Sequence, residues 1–255
     1  EMLRSLVGSE MCIRDSTELV DRQACFAQGL SVGQVVMMIH TGSRDVGFYV
    51  GRRWMDKAKA LWPAGIKHPD SKIFALFGEM ADEYLLAMHS AAHYADANRA
   101  LIAEMVRQRT RQVFGAGIEA PLIVDVPHNI VLREEGGNVH RKGATPAYAG
   151  QPLLIPGSMG HDSYLLTGLG NERWLRSASH GAGRSMSRSE VVFKAKKDKA
   201  FLGLQGVECI TTKEERMIEE APGAYKEIGQ VIQSQVEEGT VSVIARFSPI
   251  LTFKA

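Results

Sequence analysis

Residues 34–44 read QVVMMIHTGSR, an apolar run that ends in a histidine and passes at once into a polar turn. Its Val-Val centre predicts a short buried strand ending at His40. Thr41-Gly42-Ser43-Arg44 turns the chain, and residues 47–60 then predict a helix. A strand, a polar turn and a helix in succession form a unit whose strand end is a place for ligands. Residues 121–128, PLIVDVPH, repeat the pattern as a second apolar strand ending in histidine. His40 and His128 thus share one context, each where a loop leaves a strand. Imidazole is the commonest neutral ligand of transition metals, so the pair is a candidate metal site; two structural histidines remain the alternative at this point.

The remaining elements complete a mixed α/β (α+β) pattern of central mixed sheets with helices packed outside. Across residues 71–113 apolar positions recur three or four apart, predicting one long amphipathic helix or two in series. His89 and His93 stand four apart inside it without an HExxH context, which favours helix-surface or core histidines over ligands. Residues 153–160, LLIPGSMG, read as a strand ending in a small-residue turn that offers Ser158. Residues 228–236 predict a helix, and residues 241–253 predict one or two strands broken by Pro249. Strand ends from distant parts of the chain are expected to converge on one site.

Chemistry concentrates in residues 177–188, SASHGAGRSMSR. His180 stands beside Gly181 and Gly183, where a ligand can come close to the backbone. A helix starting near Ser185 would aim unpaired N–H groups at an anion, with Arg184 and Arg188 on one face. A Gly-rich turn before an ordinary helix is the plainer reading of the same residues.

Composition narrows the function classes. The chain has 255 residues, 45% hydrophobic and 23% charged, with a net charge of +1, which argues against a generally basic nucleic-acid coat protein. Residues 173–199 nevertheless hold eight Lys/Arg against Glu190 and Asp198, a local excess suited to an anionic ligand or to a solvated face. Three cysteines indicate a reducing compartment, and no membrane-spanning apolar run or secretory signal is visible, so a cytoplasmic location is expected. Residues 1–16, EMLRSLVGSEMCIRDS, show no clear period and read as a non-native leader. Residues 17–255 are then expected to be the C-terminal portion of a single domain whose natural start lies further upstream.

Seven motifs occur in a fixed order: HTGSR at His40, PHN at Pro127, HRKGAT at His140, PGSMG at Pro156, SHGAGRxMSR at Ser179, EEAPGAY at Glu219, and the terminal Lys254. In this the chain, from about Gly33 onward, resembles the RtcB family of GTP-dependent RNA ligases. These enzymes join RNA 3′-phosphate or 2′,3′-cyclic phosphate ends to 5′-hydroxyl ends in tRNA splicing and RNA repair.

The resemblance implies a role for each matching residue. His180 is the expected nucleophile, guanylylated by GTP, and an unprotonated imidazole nitrogen suits that attack. His40 and His128 correspond to ligands of two manganese ions. Ser158, Ser163, Ala182, Gly183, Tyr225 and Lys254 match guanylate-holding positions, the last two near the guanine. Arg44, Arg141, Lys142, Arg184 and Arg188 are candidates for RNA or triphosphate contacts. The implied cofactors are GTP and two Mn2+ ions; the implied partner is RNA with the ends just described, no membrane is involved, and an accessory activator protein is a further partner the family admits.

The departures matter equally. The family's upstream metal-binding Asp and Cys, and the His of a GNH motif before HTGSR, have no counterpart here, and Cys25 lacks the surroundings of a bridging thiolate. Pro146 stands where the family often has Arg. With two His ligands alone, manganese binding and ligation by this chain are expected to be weak. Two other classes compete: a metal-dependent phosphatase or phosphodiesterase, and a noncatalytic RNA- or nucleotide-binding paralogue.

Overall fold

The computed structural model describes residues 10–211 and 213–254. Its elements run β1 (Glu10–Leu19), α1 (Arg22–Ala27), β2 (Val35–His40), α2 (Asp45–Ala60), α3 (Glu79–Phe114), β3 (Asn129–Glu134), β4 (Gly137–Lys142), β5 (Ala144–Pro146), β6 (Pro152–Ile155) and β7 (Ser163–Gly168). They continue with β8 (Ser177–Ser179), α4 (Arg188–Lys197), β9 (Cys209–Thr211), α5 (Glu214–Glu219), α6 (Ile228–Glu237) and β10 (Val241–Lys254). The mixed α/β class read from the sequence holds.

The principal sheet runs β2-β1-β10-β7-β6, all antiparallel, and β9 joins β10 in parallel. Two small antiparallel pairs, β3-β4 and β5-β8, lie apart from it. One face of the sheet closes over Leu153, Ile155, Leu166 and Val241, against which α6 sets Ile228 and Ile232. The other face buries Leu165, Ile244 and Phe247 against Cys25 of α1 and Leu30. Ile102 and Val106 of α3 pack on Met11 and Phe253 at the β1-β10 end. Burial of such side chains, about 1.5–3 kcal/mol each, is the main force holding the layers together. No helix among the described residues is long and apolar enough to cross a membrane.

Four local readings change. Residues 121–128 form no strand and join no ladder; Pro121 and Pro127 lack the donors a ladder needs. Ile123, Val124 and Val126 still pack on the core, which accounts for the apolar pattern. Strand β2 is half-buried rather than enclosed, because it is the last strand on its side and only Val36 falls inside. The predicted helix of residues 71–113 begins only at Glu79, and is a single element of 36 residues. Pro249 does not break β10: it pairs with Arg14 where the register with β1 shifts, so its missing N–H falls at a bulge.

Of the expected leader, residues 1–9 lie outside the described residues, and residues 10–16 are the first part of β1, between β2 and β10. Arg14 within it is fully buried. It donates to the carbonyls of His161 (2.7 Å) and Ser158 (3.3 Å), has no carboxylate partner among the described residues, and leaves Nε unsatisfied. Desolvating an unpaired guanidinium costs several kcal/mol, more than the roughly 1.5–3 kcal/mol of a hydrogen bond to a charged group. Arg14→Met is therefore expected to stabilise the chain by about 1–2 kcal/mol. Urea denaturation measures this; a loss of stability would mean that the two carbonyl contacts outweigh the burial.

Candidate active site

Five strand ends meet in one cleft of about 810 Å3, lined by His40, His128, Ser158, His180 and Lys254 together with Tyr225. His40 is the last residue of β2, Ser158 follows β6, His180 follows β8, and Lys254 ends β10. His128 stands immediately before β3. The His40 and His128 Nε2 atoms are 3.0 Å apart, and the His128 and His180 rings stack obliquely with centroids 4.7 Å apart.

His180 is fixed by one contact. Its Nδ1 lies 2.7 Å from the carbonyl oxygen of Gly143, and since a carbonyl only accepts, Nδ1 carries the proton. Nε2 is then left as a lone pair in the cleft. Burial first, then the charges of His40 and Lys142, hold the His180 pKa below its ordinary value, overcoming the opposing effect of the Gly143 bond. Gly143 has φ +72°, and a β-carbon there would stand 3.4 Å from the His180 ring, so the glycine serves both the turn and the close approach. Burial with the neighbouring His40 and His180 drives His128 down to about 4, leaving it neutral at pH 7.

The guanylate candidates divide. Ser158, Ala182, Gly183, Tyr225 and Lys254 all line the cleft. Ser158 Oγ is 2.8 Å from His161 Nδ1. Ser163 does not reach the cleft; it is fully buried, and its Oγ accepts from Gly157 N at 3.0 Å, shaping the turn that presents Ser158. Tyr225 donates its hydroxyl to Glu220, and burial together with that carboxylate raises its pKa. Lys254 is buried and pairs with Glu10 at 3.1 Å.

The cations divide as well. Arg44, Lys142, Arg184 and Arg188 line the cleft. Arg184 is held by the carbonyls of Met186 (3.0 Å) and Glu219 (2.8 Å) and by Glu220, and lies over the Tyr225 ring. Arg188 reaches Glu220 at 3.1 Å. Arg141 is committed elsewhere: Glu134 at 2.6 Å, Ser177 Oγ at 2.9 Å and the Leu175 carbonyl at 3.0 Å enclose its guanidinium. The expected helix near Ser185 begins at Arg188 instead, which removes Arg184 from it. Ser187 and Glu190 form a capping box, so the N–H groups of these two residues are satisfied within the chain and a carboxylate already stands at the helix start. His89 bonds the Val131 carbonyl at 2.9 Å and His93 is exposed, as expected of non-ligating histidines.

Residues that sequence reasoning passed over are Glu10, Cys12 and Glu220 in the cleft wall. Glu220 could have been found, since it belongs to the EEAPGAY motif. Burial would raise its pKa, but the Tyr225 hydrogen bond and the nearby Lys254, Arg184 and Arg188 charges outweigh that and keep it ionised. Cys12 is buried and its pKa is pushed up to about 11 by burial and Glu10, so it stays a thiol.

Two nitrogens about 2.1 Å from one ion stand roughly 3.0–3.4 Å apart, and the His40-His128 spacing matches such a pair. The remainder of a metal site does not fit: among the described residues no group of three or more His, Cys, Asp or Glu could hold an ion. The two imidazoles are nevertheless positioned deliberately. Arg99 of α3 bonds Asp125 through Nε (2.7 Å) and Nη2 (3.0 Å), and also reaches the Thr41 carbonyl at 3.4 Å. Asn98 donates to the Gly42 carbonyl at 2.9 Å. One helix thus ties down the segments carrying His40 and His128. Arg99→Ala is expected to cost about 2 kcal/mol and to speed amide exchange across residues 41–44 and 125–128 together. Hydrogen exchange by mass spectrometry reads this, and acceleration confined to one segment would break the link.

A family model described as tRNA-splicing ligase RtcB matches residues 9–255. The chain is 37% identical over 257 residues to the tRNA-splicing ligase RtcB of Thermococcus kodakarensis, covering 88% of this chain and 53% of that protein. It is 36% identical over 267 residues to the protein of that name from Aeropyrum pernix, covering 90% and 54%. For the one from Methanocaldococcus jannaschii the identity is 34% over 270 residues, covering 93% and 28%. The chain therefore spans about half, or less, of the length of these relatives.

Proposed function

The chain belongs to the RtcB family, and on that premise we propose that it carries the nucleophile and nucleotide cleft of an RNA ligase joining 3′-phosphate or 2′,3′-cyclic phosphate ends to 5′-hydroxyl ends. The observation that supports this most is His180 held by the Gly143 carbonyl with Nε2 bare in the cleft. That lone pair attacks the α-phosphorus of GTP; the N–P bond forms as the bond to the bridging oxygen breaks, and pyrophosphate leaves. An RNA 3′-phosphate oxygen then displaces the imidazole, carrying GMP onto the RNA end. The 5′-hydroxyl oxygen attacks the RNA phosphorus and GMP leaves; a cyclic phosphate is first opened by water.

The chain's own residues divide the remaining work. Tyr225 and Lys254, with the ionised Glu220 beside them, form the wall proposed to hold the guanine. Arg44 and Lys142 face the phosphates, while Arg184 and Arg188 balance Glu220 at the rim. Arg141 and Ser163 serve by building the site rather than by touching substrate. His40 and His128 are the two residues that would hold manganese; only with further ligands would the ion be held firmly enough to draw charge from the phosphate oxygens. The reading extends to a cytoplasmic setting, to which three free cysteines are suited.

Incubation with α-labelled GTP and manganese, followed by denaturing gel and acid treatment, tests the proposal. Acid-labile label on the chain supports a histidine phosphoramidate. Hydrolysis of phosphoesters with no label points to the phosphodiesterase class, and RNA binding with neither reaction to a noncatalytic module.

A further inference from the structure

A second cleft, of about 850 Å3, is lined by α2 and α3 and reaches the same three histidines. It shares His40, His128, His180, Arg44 and Lys142 with the first cleft. A reaction at His180 that unites a nucleotide with a polynucleotide needs two approaches to one imidazole, and the protein has two.

The walls of this cleft suit flat rings. On α2, Phe48 is 67% exposed and lines the opening. Gly47 and Gly51, both inside the helix, line it too, and a β-carbon at Gly51 would meet nothing within 4 Å. No packing within the described residues requires that glycine, although it weakens the helix. Facing it on α3 are Tyr84, Met88, Ala91 and Ala95, of which the alanines leave the slot wide.

Charge follows the same line. Arg44 immediately precedes α2, and Phe48 and Arg52, four apart, share one face of the helix, which Asp56 continues. Beside them Tyr49 is 61% exposed, and Arg53 bonds its hydroxyl at 3.0 Å. Asp96 and Asp125, the acidic residues that line the cleft, are neutralised by Arg99. Aromatic faces interleaved with arginines, leading to a reactive centre, form a platform for unpaired bases and their phosphates.

We propose that the α2 surface and this second cleft bind the single-stranded RNA whose 3′ end is delivered to His180, with Phe48 stacking a base beside Gly51 and Arg52 meeting the backbone. This rests on the RNA-ligase reading. A protein surface covering the same face is the competing occupant. Charge complementarity and continuity with the histidines favour RNA.

The test is fluorescence anisotropy of a labelled, single-stranded RNA decamer with a 3′-phosphate, over a range of salt, with α-labelled GTP adduct formation read on the same preparations. Phe48→Ala and Gly51→Leu are expected to weaken binding about 10-fold each, as loss or blockage of one stacked base would. Arg52→Glu should weaken it and lower the salt slope by about one. Phe77→Ala, exposed outside the cleft, is the control and should change nothing. Circular dichroism verifies the fold, and since Arg52 and Phe48 are exposed their variants should keep it. Wild-type RNA affinity in folded Phe48→Ala and Arg52→Glu, or no RNA binding by the parent, overturns the platform even if GTP labels His180. Variant-sensitive RNA binding with no label on any form keeps the platform and sinks the ligase reading.

Discussion

Replacing His180 by alanine is expected to abolish the acid-labile GMP adduct proposed for this chain while leaving it folded. The effect is expected to be at least about a thousand-fold on label incorporation, because removal of a nucleophile leaves only binding and electrostatic contributions behind. The fold should survive: His180 is half-buried and makes one hydrogen bond, to Gly143, so its loss costs about 1 kcal/mol. Among the described residues the nearest imidazole, His128, turns its Nε2 toward His40 and is not placed to take over. His180→Gln separates nucleophilicity from hydrogen bonding, since the amide can still donate toward Gly143 yet cannot attack phosphorus. Label retained in either variant would move the covalent chemistry to another group and remove the central argument from the Gly143 contact.

Arg141→Ala should be the most destabilising single change among the basic residues singled out here. Its side chain is 1% exposed, paired at 2.6 Å with a Glu134 side chain that is 12% exposed, and Glu134 also accepts from the Tyr148 hydroxyl at 2.6 Å. Truncating one partner strands the other charge, a loss of about 3–5 kcal/mol. For a chain of this size that lowers Tm by roughly 6–20 °C. The pair also has a pH signature. Burial would raise the Glu134 pKa, but the Arg141 and Tyr148 hydrogen bonds and the Arg141 charge outweigh it and hold the carboxyl below 4.5. A depressed carboxylate pKa stabilises the fold fully above the unfolded value, and the contribution is lost as pH falls through the folded value. Thermal melts of the parent should therefore drop on acidification below about pH 4.5, and the Arg141→Ala melts should drop less. Near-parental stability in this variant, together with lost RNA binding, would return Arg141 to the phosphate contacts that the motif HRKGAT suggested.

Much of the site was legible because its chemistry is local in sequence. HTGSR, PHN, PGSMG, SHGAGR and EEAPGAY are short runs in which a reactive side chain stands beside the glycine or proline that turns the strand end toward a ligand. The strand ending at His40, the last strand, and the helices read at residues 47–60 and 228–236 were legible in the local pattern, and the helices lie at Asp45–Ala60 and Ile228–Glu237. Their errors share one cause. Periodicity reports which side chains are buried, and residues 121–128 bury theirs without a ladder partner, just as Pro249 sits in β10 only because a register shift across the sheet excuses its missing donor.

What the sequence by itself determined is the inventory: the mixed α/β class, the histidines, the family and the order of its motifs. Only the tertiary structure decided how each group is employed. Arg141 and Lys142 are adjacent in sequence, yet in a strand adjacent side chains face opposite sides, so one is sealed against Glu134 and the other lines the cleft. His180 owes its free Nε2 to a carbonyl 37 residues earlier, and Arg184 and Tyr225 are joined through Glu220. Proton placement, ion pairing and access depend on distances across the fold, and those are fixed by packing between segments that no local pattern relates.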